Sequence, residues 1–369
     1  MKSHLPLLQI YLQFQEYKFA LLCFVSAFVV TLLVIPPIIS FIRRYNLYDI
    51  PNARKEHSQP VPTLGGIAIV AGMASGLILW FPFHNGIGQV AFFFSLVVLF
   101  GMGIMDDLRD LSAKYKLALQ VGLGIVIALS GIRITSFNGL FGINDLPMYS
   151  QYTFTVLAIV GITNAFNLVD GIDGLAGVLA FMSLATLGLF LTISGDANTA
   201  LIAFALAGGI LAFLYFNFNP ARIFMGDTGS LVIGFVIAVL CIRLMQVNLI
   251  AGSPVLQHAP VFVLGIVLVP VFDTLRVFSL RIWKGKSPFE ADRTHIHHLL
   301  TNTGFNHSFS TRVICIIHAI ILIEVYFLRD MRQELALLLL LVLMLFVTFL
   351  LKNFRLFFMR QRKVSRERR

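Results

Sequence analysis

Long apolar runs, repeated along the whole chain, restrict what this sequence can fold into. Several runs reach the length of about 20 residues that a helix needs to cross a bilayer. Hydrophobic residues make up 58% of the 369 residues and charged residues only 12%. Inside a bilayer the backbone must satisfy its own hydrogen bonds, which a continuous helix does without a partner. The sequence therefore excludes an ordinary soluble protein and predicts an all-α, polytopic integral membrane protein.

Apolar runs bounded by polar residues, Gly or Pro predict about eleven transmembrane helices. No internal repeat or soluble domain boundary is visible, so we expect residues 1–369 to form a single membrane-embedded domain. The largest cytoplasmic loop is expected at 281–310, and a basic tail covers 352–369. Lys116 and Gln120 interrupt the fourth predicted span. The predicted spans are 19–41, 63–83, 87–105, 114–131, 150–168, 174–194, 198–216, 230–250, 258–280, 311–328 and 334–357.

The Lys and Arg residues divide the connections between these spans into two groups. Twenty-two of the 28 lie in segments 42–62, 106–116, 217–229 and 276–312 and in the tail from 352. Cytoplasmic loops of membrane proteins carry such an excess. We therefore predict that these segments are cytoplasmic, with a periplasmic N-terminus and a cytoplasmic C-terminus. The tail directly follows an apolar run, which indicates contact with anionic lipid and not with nucleic acid.

The stretch from Asn164 to Leu175 sets carboxylates and carboxamides into this apolar chain. On an unbroken α-helix each step of three residues falls short of a full turn by about 60°, so the first and last of these polar residues would lie on opposite faces. They converge only if the helix ends, which Gly171 and Gly174 permit. We expect the fifth helix to end by about Gly171. The polar residues at every third position are Asn164, Asn167, Asp170 and Asp173.

Further acidic residues fall on the same predicted cytoplasmic face. Asp106 and Asp107 are adjacent, and because like charges repel and burial penalises charge, such a pair needs a cation. An ion pair with Arg109 or Lys114 would supply it, and so would a metal or a charged substrate. Asp227 lies between glycines at the start of a helix. That position suits a hard-cation ligand beside phosphate-binding amides, and it also suits a plain helix N-cap.

The last predicted cytoplasmic loop contains three histidines beside Arg293. Zinc sites commonly add cysteines or a His-x3-His pair on a helix, which the sequence lacks here. Imidazole and guanidinium groups that donate to phosphate oxygens fit the pattern better. The histidines are His295, His297 and His298.

Acidic, amide and phosphate-binding groups on one face of a membrane protein indicate a particular chemistry. Mg²⁺ prefers oxygen ligands and is commonly held by one or two carboxylates together with substrate phosphates. We therefore expect transfer between a soluble nucleotide and a membrane lipid. The alternative is a cation-coupled transporter, which predicts ionisable residues near the bilayer midplane and paired broken helices. The acids of this sequence cluster at helix ends instead.

These motifs resemble those of the polyprenyl-phosphate N-acetylhexosamine-1-phosphate transferases. The muramyl-pentapeptide branch of that family typically has the motif Pro-Ile-His-His-His, whereas here His295 replaces the proline and Leu299 replaces the last histidine. This difference counts against a peptidoglycan substrate and favours the branch that transfers N-acetylglucosamine 1-phosphate. The likeness is carried by Asp106-Asp107, residues 164–174, residues 224–231 and His295-Ile296-His297-His298.

The resemblance implies a reaction on the cytoplasmic face of the bacterial inner membrane. N-acetylglucosamine 1-phosphate would pass from UDP-GlcNAc to undecaprenyl phosphate, giving undecaprenyl-diphosphate-GlcNAc and UMP. This is the first lipid-linked step of O-antigen or a related envelope polysaccharide. Mg²⁺ is implied as the cofactor, with Mn²⁺ as the alternative. The sequence leaves open a donor such as UDP-GalNAc or a deoxy sugar, and also whether the protein forms a homodimer.

The resemblance also implies roles for individual residues. Asp227 matches a metal ligand, with Asn167 as its helper. The residues matched to catalysis are Asp106, Asp107, Asp170, His297 and His298, the two histidines holding the diphosphate. The residues matched to substrate binding are Gly171, Asp173, Asn217, Phe224, Arg293 and His295, of which Asp173, Asn217 and Phe224 would contact the uridine.

Overall fold

A computed structural model describes residues 5–45, 48–49, 61–250, 255–287 and 294–367. A 3₁₀ turn, Leu328–Asp330, precedes the last helix, and four short strands form two hairpins: β1 (Tyr48–Asp49) with β2 (Val61–Pro62), and β3 (Ser136–Leu140) with β4 (Ile143–Asp145). The helices are α1 (Leu5–Tyr45), α2 (Gly65–Trp80), α3 (Ile87–Arg109), α4 (Ala113–Leu129), α5 (Met148–Val169), α6 (Leu175–Ile193), α7 (Ala197–Asn217), α8 (Gly226–Ile250), α9 (Ala259–Ile266), α10 (Leu268–Trp283), α11 (Ile296–Thr301), α12 (His307–Phe327) and α13 (Gln333–Glu367).

Helical segments lie at the predicted spans, but they differ in length. Among the described residues, eight helices are long and apolar enough to cross a membrane, or nine spans if α9 and α10 are taken together. Helices α2 and α4 have only 16 and 17 residues, below the length of about 20 that spans the hydrocarbon core. The structure therefore supports a polytopic helical membrane protein, while the predicted number of eleven spans stays a prediction.

The ninth predicted span, 258–280, is wrong as a single straight helix, because α9 and α10 meet at 78°. Pro270 has no backbone N–H, so the carbonyl of Ile266 lacks the partner that an unbroken helix would give it. The hydroxyl of Ser183 on α6 donates to that carbonyl at 3.0 Å, and His318 on α12 lies 3.3 Å from the same hydroxyl. Side chains from two other helices therefore stabilise the bend.

The hairpins correct the all-α prediction to a nearly all-helical fold. β3 pairs with β4 in antiparallel fashion, and this hairpin is held against α13. The amide of Phe141 in its turn donates to Glu334 at 3.0 Å, and Gln333 donates to the carbonyl of Asn138 at 2.6 Å. Short strands between membrane helices carry too little alternation to be recognised in the sequence.

Helix α8 lies at the centre of the bundle, packed against α2, α3, α5 and α6. In its most apolar window 83% of the residues are buried, compared with 17% for α13, which therefore lies at the edge. The close approach of α3 and α8 depends on a glycine. A Cβ on Gly103 would lie 2.5 Å from the Cα of Thr228, closer than real contacts allow.

The polar groups predicted on one face do meet at one end of the bundle. The last turns of α3, α5 and α7 lie beside the first turns of α4, α6 and α8. Ion pairs connect α3, α4 and α8 there. The β3–β4 hairpin and an ion pair between Asp196 and Arg243, 2.6 Å long, lie at the opposite end. This arrangement brings the described residues of the predicted motifs together in one candidate site.

Gly103→Ala is expected to lower the melting temperature of the detergent-solubilised protein by several degrees, because the methyl group overlaps the backbone of Thr228 and forces α3 from α8. Gly101→Ala on the same helix is the matched control, since its Cβ would meet nothing within 4 Å. The control should keep or slightly raise the melting temperature, as alanine favours helix by up to about 1 kcal/mol. Equal melting temperatures for Gly103→Ala and Gly101→Ala would contradict this packing.

Candidate active site

Helix α5 ends at Val169, and the amide of Gly171 already bonds in a turn to the carbonyl of Val169 at 2.8 Å. Gly174 has a φ of +77°, a conformation that suits glycine, and α6 begins at the next residue. The prediction that the fifth helix ends by about Gly171 is confirmed. Asn167 therefore projects from the last helical turn, whereas Asp170 and Asp173 lie in the loop.

Asp107 fixes the start of α8. Its carboxylate accepts hydrogen bonds from the amide of Asp227 at 2.7 Å and from the amide and hydroxyl of Thr228 at 3.1 and 2.5 Å. These first amides have no partner inside their helix, and they carry the positive end of its dipole. Gly226 before them has a φ of +70°, and a Cβ there would lie 2.6 Å from the same carboxylate. Asp107 thus places Asp227; its predicted catalytic role stays a prediction.

Lys116 joins three helices at the same place. Its ammonium group lies 2.5 Å from Asp106 and 2.8 Å from Asp227, so a lysine of α4 bridges carboxylates of α3 and α8. The other oxygen of Asp106 accepts the amide of Leu111 at 2.7 Å. Both oxygens of Asp106 are therefore engaged, which accounts for a carboxylate that is only 5% exposed.

The two predicted metal-binding residues are neighbours. The side-chain amide of Asn167 donates to Asp227 at 3.0 Å and to the hydroxyl of Ser230 at 2.9 Å. With Lys116 on its other oxygen, Asp227 has both oxygens occupied by side chains. Its side chain remains 30% exposed, so a solute can reach it.

Asp170 contrasts with these acids, because no described residue donates a hydrogen bond to its carboxyl group. Burial, together with the negative charges of Asp227, Asp107 and Asp173, raises the pKa of Asp170 to about 7. The group is therefore about half ionised at neutral pH. A cation placed beside it would favour the ionised form.

Asp173 holds the loop between α7 and α8. It accepts hydrogen bonds from the side chain of Asn219 at 2.9 Å and from the amide of Ala221 at 3.1 Å, and it lies 3.3 Å from His307. Burial acts to raise the pKa of Asp173, but these donors outweigh burial and hold the pKa below its usual range. The carboxylate is thus ionised and structurally engaged, and its predicted contact with uridine stays a prediction.

Asn217 and Phe224 lie at the two ends of the same loop. Asn217 is 4% exposed, and it accepts the amide of Gly174 and donates to the carbonyl of Ile223, both at 2.9 Å. The amide of Phe224 donates to the carbonyl of Pro62 at 2.7 Å. Asn217 therefore sets the loop's shape from inside, and no contact in the structure tests its predicted role towards uridine.

Helix α11 brings the histidines to the loop after α5. His297 is buried, and a Cβ on Gly171 would lie 2.6 Å from its Nε2, so the two residues are in contact. The ring centres of His297 and His298 are 4.2 Å apart. Gly171 and His297 therefore adjoin Asp170, and His298 lies beside His297.

His295 is anchored by Asp273, whose carboxylate lies 2.9 Å from its Nδ1. The same carboxylate accepts the amide of Ile296 at 3.1 Å and pairs with Arg276 at 2.6 Å. His295 is buried as a result, so it orients α11. Arg293, predicted to bind substrate, lies outside the described residues.

The residues of the site suit a divalent metal that has few protein ligands. Within the described ranges, no three His, Cys, Asp or Glu side chains lie close enough to hold a metal by themselves. Mg²⁺, however, is commonly held by one or two carboxylates together with substrate phosphates. Asp227 beside Asn167, with the unbonded carboxyl group of Asp170 nearby, fits that requirement.

Two members of the site do not follow from the sequence pattern. The cation beside Asp106 is Lys116, so the choice of Arg109 or Lys114 is wrong. Gln120, one turn further along α4, is buried and accepts a hydrogen bond from Asn164 at 2.5 Å. Both residues are polar interruptions of a predicted span, and intramembrane polar residues usually have such partners.

Fold and site together define a polytopic helical membrane protein whose carboxylates, amides and histidines meet at one end of the helices. Residues 89–245 match the sequence model of glycosyl transferase family 4. The chain belongs to this family, and the resemblance to its polyprenyl-phosphate N-acetylhexosamine-1-phosphate transferases is confirmed.

Three relatives illustrate the match. The probable undecaprenyl-phosphate N-acetylglucosaminyl 1-phosphate transferase of Bacillus subtilis strain 168 is 34% identical over 329 residues, 88% of this chain and 90% of the relative. The undecaprenyl-phosphate alpha-N-acetylglucosaminyl 1-phosphate transferase of Haemophilus influenzae strain KW20 is 34% identical over 320 residues, 83% of this chain and 86% of the relative. The Escherichia coli K12 protein of the same name is 31% identical over 271 residues, 71% of each chain.

Asp170→Asn is expected to raise the melting temperature of the metal-free protein at pH 8 by a few degrees. The folded pKa of about 7 lies above the unfolded value of about 3.9. The folded state therefore loses stability as the pH rises from about 4 to 7, and the full penalty remains above pH 7. Asparagine removes that penalty. The gain in melting temperature should therefore be smaller at pH 5.5, where the penalty in the wild type is itself smaller.

Thermal unfolding of both proteins in chelator at pH 8 and pH 5.5 measures this difference. Asp145→Asn, an exposed position on β4, serves as the control and should shift neither value. A gain that does not depend on pH, or a loss of stability at pH 8, would contradict the assigned environment of Asp170.

Proposed function

We propose that the protein transfers N-acetylglucosamine 1-phosphate from UDP-GlcNAc to undecaprenyl phosphate, giving undecaprenyl-diphosphate-GlcNAc and UMP. The observation that carries this proposal is the meeting of Asp227, Asp170 and His297 around the loop between α5 and α6, at one end of a membrane helix bundle. A site at that position is open to a soluble nucleotide from water and to a lipid phosphate from the bilayer. Relatives that carry the name of this activity cover most of the chain.

The proposed chemistry is a direct displacement. A phosphate monoester has a second pKa of about 6, so the lipid phosphate is mainly a dianion at neutral pH and is a competent nucleophile. One of its oxygens bonds to the β-phosphorus of UDP-GlcNAc. The bond from that phosphorus to the oxygen bridging to the α-phosphorus breaks, and UMP leaves with the bridging oxygen. A phosphoryl-aspartate trapped on Asp106 or Asp107 would contradict this single step.

The chain's own groups would bind and orient the two phosphates. His297 and His298 would donate imidazole N–H groups to diphosphate oxygens, and Arg293 is assigned to the same task. Mg²⁺, with Mn²⁺ as the alternative, would be held by Asp227 with Asn167 beside it. A bound divalent cation would reduce the repulsion between the two anionic substrates.

Purified protein is expected to release UMP from UDP-GlcNAc only when undecaprenyl phosphate and a divalent cation are both added. Asp227→Asn should lower kcat by about 10²- to 10³-fold, since one charged group of the site is lost. Asp110→Asn is the matched control, because Asp110 is exposed and lies on the same side of the bundle, and it should keep the activity. UMP release without the lipid would rule out the proposed transfer.

The donor sugar is assigned by the same assay with a set of nucleotide sugars. We expect UDP-GlcNAc to be the preferred donor over UDP-GalNAc and deoxy derivatives. Exclusive use of UDP-MurNAc-pentapeptide would assign the protein to the peptidoglycan branch instead. Cation uptake into proteoliposomes without UMP release would favour the transporter alternative. The product would supply O-antigen or a related polysaccharide.

We further propose that the site faces the cytoplasm, with the N-terminus periplasmic and the protein in the bacterial inner membrane. Lys114→Cys marks the site end and Asp145→Cys marks the opposite end, and both positions are exposed. A membrane-impermeant maleimide added to intact spheroplasts should label Asp145→Cys alone, and permeabilised cells should add label to Lys114→Cys. The native cysteines are buried or half-buried, which keeps the background low. The reverse pattern would invert the topology.

A further inference from the structure

Lys116 bridges two carboxylates that belong to different helices of the site. It belongs to α4, yet its ammonium group contacts Asp106 of α3 at 2.5 Å and Asp227 of α8 at 2.8 Å. Its side chain is 25% exposed, so the group lies at the mouth of the site rather than in a closed core. A lysine in this position balances two carboxylates that would otherwise repel each other.

Asp227 is also the residue that the proposed function assigns to a divalent cation. Its two oxygens are both occupied, one by Lys116 and the other by the amide of Asn167. A divalent cation that coordinates Asp227 must share this carboxylate with the two groups already bound to it. The ammonium group is the one that must yield, because two positive charges on the same carboxylate repel each other strongly at such short distances.

Lys116 keeps one ion pair after it releases Asp227. Its bond to Asp106 does not depend on Asp227, and the opposite oxygen of Asp106 is held in place by the amide of Leu111 at 2.7 Å. The lysine can therefore release Asp227 while it stays on the adjacent helix. Its remaining N–H groups would then face the side on which substrate phosphates are expected.

We propose that Lys116 is the resident cation of the site, which occupies Asp227 when no divalent cation is bound and gives it up when one arrives. This inference rests on the assignment of Asp227 in the proposed function. It makes Lys116 a positioning residue that keeps the empty site assembled and sets how tightly a divalent cation binds. Removal of its charge should therefore strengthen binding of the cation.

The test measures Mn²⁺ binding to the full-length protein in detergent, without any nucleotide sugar or lipid phosphate, from the electron paramagnetic resonance signal of free Mn²⁺. Lys116→Gln removes the charge and keeps a hydrogen-bonding group, and it should lower the Kd for Mn²⁺ about tenfold or more. Lys116→Arg keeps the charge and should leave the Kd close to that of the wild type. Lys114→Met is the matched control on the same helix, exposed and without a described partner, and it should change nothing.

A second measurement, thermal unfolding, shows whether the variants remain folded. Because an unpaired buried carboxylate is destabilising, Lys116→Gln should melt lower than wild type in chelator and recover more of its stability when Mn²⁺ is added. Adding Asp227→Asn to Lys116→Gln should abolish the tighter binding. Unchanged or weaker Mn²⁺ binding by Lys116→Gln, or equal tightening by Lys114→Met, would overturn the proposal.

These outcomes are separate from a failure of the proposed function. If the wild type releases no UMP but Lys116→Gln binds Mn²⁺ more tightly, the transfer reaction is wrong and the role of Lys116 stands. If the wild type transfers the sugar phosphate and Lys116→Gln shows no tighter binding, the role of Lys116 alone is wrong.

Discussion

The capping of α8 by Asp107 is the interaction on which the rest of the site depends. A helix that begins at the water boundary of a membrane protein leaves its first amides without partners, and the carboxylate of α3 supplies them. The same bonds set the direction of Asp227, and through it the positions of Lys116 and Asn167. Glycine at 226 makes the arrangement possible, because any side chain there would occupy the space of the carboxylate.

The charges of the site fall into two kinds. Asp106 and Asp227 share a lysine, and Asp173 is surrounded by donors, so these groups are balanced inside the protein. Within the described part of the chain Asp170 has no such donor, and burial among like charges raises its pKa to about 7. A protein gains no stability from a carboxyl group placed in this way. A cation or a phosphate-bound metal beside Asp170 during function would offset this loss of stability.

Much of this could be predicted from the sequence, and the reasons for the rest are physical. Apolar run lengths placed the helices, and the three-residue spacing before Gly171 located the end of α5, because both depend on local geometry. The bend at Ile266 was missed because Pro270 lies in the middle of the predicted span 258–280, where membrane helices tolerate proline, and only Ser183 on another helix shows why the break persists. Lys116 was missed because its partners come from two other helices, and pairing over such distances leaves no mark in the local pattern. The β3–β4 hairpin was missed for the same reason, because the contacts that hold it come from α13, which is distant in sequence.

The contact between Asp107 and Thr228 joins residues that are 121 positions apart. During synthesis the ribosome must therefore translate four more helices after α3, and begin a fifth, before the first amides of α8 exist. Until then Asp106 and Asp107 are adjacent charges at a membrane surface, and Lys116 of α4 is already present to pair with Asp106. Because α8 also lies at the centre of the bundle, its insertion completes the packing and the site in the same event. A chain that stops before residue 226 would carry both aspartates and several membrane helices, yet it would have no assembled site.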